Sequence, residues 1–330
     1  MGMARSSTNS QPFSLEDVTV NINTVNRPEY LRACLESLLQ TTPRGVPLQI
    51  AFNGTPDDVR ERTIAQASRW QGPTNFLVYE ELLPIAESHN RALDAIETPL
   101  VNFMGDDDLV LGNRLPLLID AFNSHVPRPL AVTSYAHRIA GDATGAAGGS
   151  LKTLGPVTLE EWRNWHASGR PFEMLWPGAV LDTEALRGIG GVEEQFDLVF
   201  DTRVFSQLSF IGPVLSIEDA NFGVRVHSGS ISTSNWSAQR EKLRYLQRCH
   251  SARLAAEEPP SFESFLAEEN RRPWHERLRC SQGERSLLFF RQGGEHLLSG
   301  QRLGGLGYLA LSALSSPATF GGKLRQRDLV

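Results

Sequence analysis

The sequence predicts an α/β fold built around a mostly parallel sheet that is flanked by helices and followed by a helical C-terminal extension. Two observations predict this class. Short β-branched or apolar runs alternate with segments of helical period from residue 18 to residue 135, and the connections between them are short. After about residue 236 the β-branched runs stop and helical patterns dominate. Polar residues that follow parallel strands are therefore expected to share one edge of the sheet.

The first strand is predicted over Val18–Thr24, a run rich in β-branched residues. Pro28 suits the first turn of a helix, and apolar residues from Tyr30 to Leu39 repeat at helical spacing behind it. The same alternation predicts strands over residues 48–52, 75–79, 100–104 and 130–135, and helices over residues 56–70, 85–96 and 115–122. Beyond a Gly- and Ala-rich loop, 141–149, the pattern predicts helices over residues 158–165 and 201–208 and strands over residues 179–181 and 214–217.

Composition divides the chain into three parts. Residues 1–16 are polar and Ser-rich, lack the apolar core of a secretory signal, and are predicted to form a disordered lead. Residues 17–234 are predicted to form the α/β domain, and residues 235–330 are predicted to be mainly helical.

The bulk composition argues against several classes of protein. The chain has 330 residues, of which 40% are hydrophobic and 21% charged, as is usual for a globular protein. A net charge of −6 disfavours a nucleic-acid partner, because such proteins present a basic face. The three cysteines are far apart and odd in number, which argues against a disulfide framework and a structural zinc site. Since no stretch is long enough to span a membrane, we expect a cytoplasmic protein.

Three adjacent carboxylates, Asp106, Asp107 and Asp108, follow the apolar run 100–104. Their mutual repulsion is relieved if a divalent cation lies among them. Hard oxygen ligands suit Mg²⁺ or Mn²⁺, which commonly bridge one or two carboxylates to substrate phosphates. The alternative is a solvated acidic turn at the start of the next helix. The apolar strand that leads into the cluster favours a binding site.

The end of the first strand carries small polar residues and one cation, in the order Asn23-Thr24-Val25-Asn26-Arg27. Such side chains can contact a base or ribose, and Arg27 can bind a phosphate. Asn26 can equally cap the following helix. Neither Gly-x-Gly-x-x-Gly nor a Walker A loop follows this strand, which argues against a dinucleotide dehydrogenase and a P-loop protein.

Taken in order, these motifs resemble the inverting glycosyltransferases of family 2, which have the GT-A fold. The resemblance covers residues 18–232 and rests on residues 26–31, Asn53, residues 88–93, residues 103–108, Gly190-Gly191 with Phe196 and Asp201, and residues 225–230. It implies transfer of a sugar from a nucleotide-diphosphate donor, UDP by default, to a hydroxyl of a saccharide or glycolipid acceptor. It also implies a place in the synthesis of surface polysaccharides or other glycans.

The resemblance further implies roles for single residues. Asp107 and Asp108, with His227, would hold a Mn²⁺ or Mg²⁺ ion that stabilises the leaving diphosphate. Asp106 would hold the ribose, and Asp201 would be the general base that takes the proton of the acceptor hydroxyl. The other candidates for binding the nucleotide sugar are Thr24, Asn26, Arg27, Asn53 and Asn90.

Two positions depart from the family pattern. Gly105 lies where the family often has Asp, so the register of the metal motif is open by one residue. Phe200 precedes Asp201, where the family usually has an acidic residue, so Asp197, with Glu194 behind it, is an alternative base.

Two other functions stay open on the residues alone. A sugar-phosphate nucleotidyltransferase would share the sheet and the acidic site, but residues 23–27 lack its Gly-rich loop. A non-catalytic saccharide-binding relative is favoured by Phe200 alone.

The C-terminal region has three interpretations. Its apolar stretches at residues 287–290 and 306–314 can pack as an ordinary helical cap, form a homodimer contact, or touch a membrane surface beside the basic residues 323–327. The packed cap is favoured. Peripheral attachment at the inner face of a membrane would suit a glycolipid acceptor.

Overall fold

A computed structural model describes residues 11–140, 150–151, 155–219, 221–226, 235–298 and 300–325. The strands are β1 (Val18–Thr24), β2 (Leu48–Asn53), β3 (Thr74–Tyr79), β4 (Leu100–Gly105), β5 (Leu109–Val110), β6 (Ala131–Ser134), β7 (Ala136–Ala140), β8 (Ser150–Leu151), β9 (Val180–Asp182), β10 (Val214–Ile217) and β11 (Phe222–Val226). The helices are α1 (Pro28–Thr41), α2 (Asp57–Ala67), α3 (Ile85–Asp94), α4 (Arg114–Ser124), α5 (Leu159–Ala167), α6 (Thr183–Gly188), α7 (Phe200–Leu208), α8 (Trp236–Leu254), α9 (Phe262–Arg271), α10 (Trp274–Leu298), α11 (Arg302–Ser315) and α12 (Pro317–Arg325). Short 3₁₀ helices precede β1 and α7, at Leu15–Asp17 and Glu194–Val199.

The main sheet has seven strands in the order β10-β6-β9-β4-β1-β2-β3. β1 pairs in parallel with β2 and β4, β2 pairs in parallel with β3, and β6 pairs in parallel with β10. Only β9 runs against its neighbours, β4 and β6. The predicted α/β class and the mostly parallel sheet are therefore confirmed, and the parallel strands end at one edge.

Both faces of this sheet are buried, because successive side chains of a strand point to opposite sides. Val18, Val20 and Ile22 of β1 belong to a core cluster shared with α1 and α4. Val101 and Phe103 of β4 belong to a second cluster shared with α3 and α7. Helices thus cover both faces, as parallel sheets require.

The predicted elements of the sheet and its helices are present, with shifted ends. The second helix, expected over residues 56–70, is Asp57–Ala67. The sequence pattern did not predict β5, β7, β8, β11 and α6, which have two to six residues each. The loop predicted over residues 141–149 lies outside the described residues.

The chain divides into two units by its internal contacts. One consists of Met1–Ala136 and Lys152–Val224, and the other of His137–Leu151 and Arg225–Val330. The second unit contains α8 to α12, which confirms a helical C-terminal region. The division at residues 234 and 235 stays a prediction. Within the described ranges, no helix combines the length and the apolar character that a membrane span needs.

Candidate functional site

The carboxyl ends of β1, β2 and β4 bring three predicted site segments to one edge of the sheet. Thr24, the last residue of β1, pairs with Phe52, which precedes Asn53 at the end of β2. On the other side, Asn23 pairs with Gly105, the residue before the acidic triplet. The register of the parallel strands alone therefore places the polar ends of β1, β2 and β4 side by side.

Asp106 is tied to the end of β1 by three donors. One of its oxygens, Oδ2, accepts from the Thr24 hydroxyl at 2.9 Å and from the Val25 amide at 3.2 Å. The other, Oδ1, accepts from Nη1 of Arg27 at 3.2 Å. The same Arg27 nitrogen lies 3.0 Å from Oδ2 of Asp107. The guanidinium thus bridges two carboxylates that would otherwise repel each other.

Burial disfavours the ionised form of the Asp106 carboxyl group. Burial and the neighbouring Asp107 raise the pKa of Asp106 to about 6, although Arg27 and the donors from Thr24 and Val25 each lower it. Asp106 therefore takes up a proton near pH 6 unless a further cation or donor joins the site.

Asn26 is exposed beside this network. The residue at the cap position of α1 is Arg27, whose side chain makes no capping bond. The interpretation of Asn26 as the helix cap is therefore wrong. Its short amide stays available to a ligand, and its proposed contact with the donor stays a prediction.

The carboxylates of the acidic turn lie close to Gly105, which lacks a side chain. A Cβ on Gly105 would lie 2.6 Å from Oδ2 of Asp108 and 3.0 Å from Oδ1 of Asp107. Among the residues that the structure describes, no group of three or more His, Cys, Asp and Glu side chains converges on a metal position. His227 lies outside the described residues. A hard cation here fits one or two carboxylates of the turn with donor phosphates as its other ligands, which is the usual way proteins hold Mg²⁺.

Arg114, the first residue of α4, is a buried cation whose charge acts on Asp108, and the sequence did not indicate it. This side chain is buried, donates to the Ser134 hydroxyl at 3.0 Å and to the Gly178 carbonyl, and lies with its guanidinium carbon 4.4 Å from the centre of the Phe222 ring. Burial lowers the pKa of Arg114 to about 9, and the charge of Asp108 opposes that shift. Arg114 thus provides positive charge behind Asp108.

Asn53 and Asn90 each hold a backbone segment by a pair of hydrogen bonds. The Asn53 amide donates to the Leu83 carbonyl at 3.1 Å and accepts from the Leu83 amide at 2.7 Å. Asn90 makes the same pair with Val192, at 2.9 and 2.8 Å. These contacts make both residues positioning groups for the loops that border the site. Direct contact of either with a donor stays a prediction.

Asp201 lies in the first turn of α7 and keeps partial contact with solvent. Its Oδ1 accepts from the Thr202 amide at 2.7 Å. Burial, together with the charge of Glu173, raises the pKa of Asp201 to about 6 against the effect of that hydrogen bond. The alternative base Asp197 likewise accepts from the next amide, that of Leu198, at 2.8 Å. Glu194 is exposed.

An aromatic cluster joins the strand before the acidic turn to the helix that carries Asp201. The ring of His89 lies 5.4 Å from Phe103 of β4 and 5.2 Å from Phe200 of α7, and Trp176 packs against all three. Burial lowers the pKa of His89 to about 4, so its ring is neutral at pH 7. Because Nδ1 lies 2.8 Å from the Ile85 carbonyl, it carries the proton and Nε2 is an acceptor.

Solved structures of two glycosyl-donor-binding proteins share this architecture. The Staphylococcus aureus TarS fragment in complex with UDP-GlcNAc superposes with a TM-score of 0.53 at 12% identity, over 94% of this chain and 91% of that one. The mannosyltransferase PcManGT of Pyrobaculum calidifontis, in complex with GDP-Man and Mn²⁺, has a TM-score of 0.50 at 14% identity, over 94% of this chain and 79% of that one. The fold is GT-A-like. In this GT-A-like fold the acidic turn and the end of β1 occupy the edge where ligands of such sheets bind.

Two sequence relatives match the chain at low identity. The amylovoran biosynthesis glycosyltransferase AmsE of Erwinia amylovora is 25% identical over 218 residues, which is 65% of this chain and 77% of AmsE. The teichoic acid poly(glycerol phosphate) polymerase of Staphylococcus epidermidis is 24% identical over 110 residues. That match spans 33% of this chain but only 15% of the polymerase. No model of a known protein family matches the chain.

Proposed function

We propose that this chain is a metal-dependent, inverting glycosyltransferase of family 2. It would act in the cytoplasm and move a sugar from a nucleotide-diphosphate donor, UDP by default, to a saccharide or glycolipid hydroxyl in the synthesis of surface polysaccharide or other glycans. The observation that carries the proposal is the network in which Asp106 joins Thr24 and Arg27 at the carboxyl edge of a parallel sheet. The names of the sequence relatives and the nucleotide sugars bound to TarS and PcManGT support the same class.

The donor would lie along the ends of β1 and β2. Thr24 and Asn26 would face its base and ribose, Arg27 its phosphates, and Asp106 the ribose hydroxyls. Asn53 and Asn90 would act by holding the loops around Leu83 and Val192 in place.

The metal would be held by Asp107 and Asp108, with His227. When bound, it would supply positive charge that stabilises the leaving diphosphate. Arg27 already pairs with Asp106 and Asp107, and the charge of Arg114 acts on Asp108, so the carboxylates are partly neutralised before any cation arrives.

Asp201 would be the general base. A base works best when its pKa lies near the working pH, and burial raises the pKa of Asp201 toward that range. It would accept the proton of the acceptor hydroxyl as that oxygen attacks the anomeric carbon. The bond to the diphosphate oxygen would break on the opposite side, which inverts the carbon.

A thermal-shift titration with nucleoside diphosphates tests the proposal. UDP with Mn²⁺ at about 100 times its Kd should stabilise the wild type by roughly 2.7 kcal/mol, and UDP with EDTA should stabilise it much less. Asp107→Ala should lose the Mn²⁺-dependent part, because it removes a partly exposed carboxylate of the turn.

Asp120→Ala is the matched control, since Asp120 is an exposed carboxylate on α4. It should keep the full shift. If Asp107→Ala keeps the full Mn²⁺-dependent thermal shift, Asp107 is not a metal ligand. A wild type that binds UDP with Mn²⁺ but never hydrolyses or transfers a nucleotide sugar would instead be the non-catalytic relative.

A further inference from the structure

The helix α11 has one face packed and one face open to solvent. On the packed face, Gly305 approaches Gly293 of α10 so closely that a Cβ on Gly305 would lie 3.0 Å from the Gly293 carbonyl oxygen. Beside this contact the buried Ser286 and Ser312 hydroxyls each donate to the other's backbone carbonyl, at 2.9 and 2.7 Å. Small residues and paired hydroxyls therefore hold α11 against α10 along one side.

The open face of α11 is made of leucines. Leu303 is 87% exposed, Leu306 59% and Leu314 80%. Together with the exposed Ala310, they recur at the spacing of a single helical face. Contiguous exposed apolar surface of this kind marks an interaction site more often than scattered single leucines do.

The charged residues in α11 and in the segment directly after it have one sign in the sequence. From residue 296 to residue 327 the chain has no Asp or Glu and carries Arg302, Lys323, Arg325 and Arg327, whereas the whole chain has a net charge of −6. In the sequence, cations therefore precede and follow the uncharged leucine positions. That combination is typical of helices that lie in the interface of an anionic bilayer.

We propose that the leucine face of α11 docks on an anionic lipid surface, with the leucines among the acyl chains and Arg302 and Lys323 at the phosphate level. A second copy of the chain fits less well, because a two-fold contact through this face would bring like charges together. The helix has 14 residues, roughly 21 Å at 1.5 Å per residue, which suits lying in the interface. The inference goes beyond the proposed sugar transfer and does not depend on it.

Co-sedimentation with lipid vesicles tests the proposal. The full chain should bind vesicles of equal parts phosphatidylglycerol and phosphatidylcholine and should bind pure phosphatidylcholine vesicles much more weakly. The double variant Leu303→Gln with Leu314→Gln should bind the anionic vesicles about tenfold more weakly or worse, since it removes the two most exposed of the three leucines. Lys323→Gln should lower binding to the anionic vesicles about fivefold.

The matched control is Leu82→Gln with Ile211→Gln, two apolar side chains that are 70% and 58% exposed in the other unit. It should bind vesicles as the wild type does. The proposal is overturned if the wild type binds neither the anionic nor the pure phosphatidylcholine vesicles. It is equally overturned if the double leucine variant binds the anionic vesicles as tightly as the wild type does. It is also overturned if light scattering shows a dimer that only the double leucine variant dissociates. UDP-dependent thermal shifts measured on the same proteins test donor binding independently, so a failure of the lipid proposal can be told apart from a failure of the transferase proposal.

Discussion

At the scale of single residues, two acids of the candidate site, Asp106 and Asp201, have raised pKa values because burial disfavours their charged forms. Asp106 is buried beside Asp107, and Asp201 is held at the start of α7 near Glu173. A raised pKa in the folded state means that each acid costs stability increasingly as pH rises from its unfolded pKa to its folded pKa, and the full cost is present above the folded pKa. Such a cost is typical of groups kept for function.

The substitution Asp201→Asn should therefore stabilise the protein at neutral pH while it stops sugar transfer. A folded pKa of about 6 against an ordinary 3.8 corresponds to about 2 kcal/mol after allowance for partial exposure. The gain should be full above pH 6, shrink as pH falls from 6 toward 4, and vanish below that. Urea unfolding from pH 4 to pH 8, with a transfer assay at pH 8, measures both effects.

The exposed Asp120→Asn serves as the control and should change neither quantity. If Asp201→Asn does not raise the free energy of unfolding at pH 8, burial does not destabilise the ionised Asp201 carboxylate. If it still transfers sugar at the wild-type rate, Asp201 is not the base and Asp197 becomes the candidate.

At the scale of elements, the bond pair between Asn90 and Val192 links α3 to the segment that leads into α7. Gly191 lies directly under this pair, with φ +69, and a Cβ there would come within 2.3 Å of Oδ1 of Asn90. Gly190 has a similar φ of +89, but nothing lies within 4 Å of its Cβ position. Comparing alanine substitutions at the two positions therefore distinguishes the cost of backbone strain from the cost of a steric clash with Asn90.

Gly191→Ala should cost more stability in the wild type than in an Asn90→Ala background. In the wild type, an alanine at position 191 would adopt a left-handed backbone conformation that costs about 1–2 kcal/mol of stability. Its Cβ would also displace the Asn90 side chain from Val192. In the Asn90→Ala background only the strain remains, so a double-mutant cycle should show coupling of about 1 kcal/mol or more. Urea unfolding of the four proteins measures it.

Gly190→Ala is the comparison for this cycle. It should show the strain cost and no coupling to Asn90. Equal coupling for both glycines would mean that the Asn90 amide does not hold the Val192 backbone in solution.

At the scale of the whole molecule, the order of the seven strands predicts a pattern of hydrogen exchange. β1 and β4 are bonded on both sides and buried, whereas β3 closes one edge of the sheet and is half exposed. Backbone amides of β1 and β4 should open only with global unfolding, and those of β3 should exchange about 100-fold faster or more through local opening. Mass-spectrometric exchange on peptides covering residues 18–24, 74–79 and 100–105 measures this. Equal protection of all three would contradict the strand order.

Much of the sheet could be predicted because each element carries its own signal. Val18–Thr24 shows a β-branched run, and α1 shows Pro28 followed by a helical period. The strand β9 was predicted over residues 179–181, but its place between β4 and β6 and its antiparallel direction could not be predicted, because both depend on where the chain re-enters the sheet. The assignment of β4 side chains to the two faces of the sheet follows from alternation alone. The even-numbered Leu100 and Met104 belong to one core cluster, and the odd-numbered Val101 and Phe103 belong to the other.

For the candidate site, the sequence by itself determined which polar residues end the strands: Thr24, Asn53 and Asp106 follow apolar runs, and parallel strands must end together. Only the tertiary structure decided which groups act on one another. Arg27 neutralises two carboxylates, Arg114 reaches Asp108 from another element, and Asn90 holds Val192 across 102 residues. The physical reason is that strand signals are local, whereas burial, charge pairing and the pKa shifts that they cause depend on neighbours that are distant in the chain.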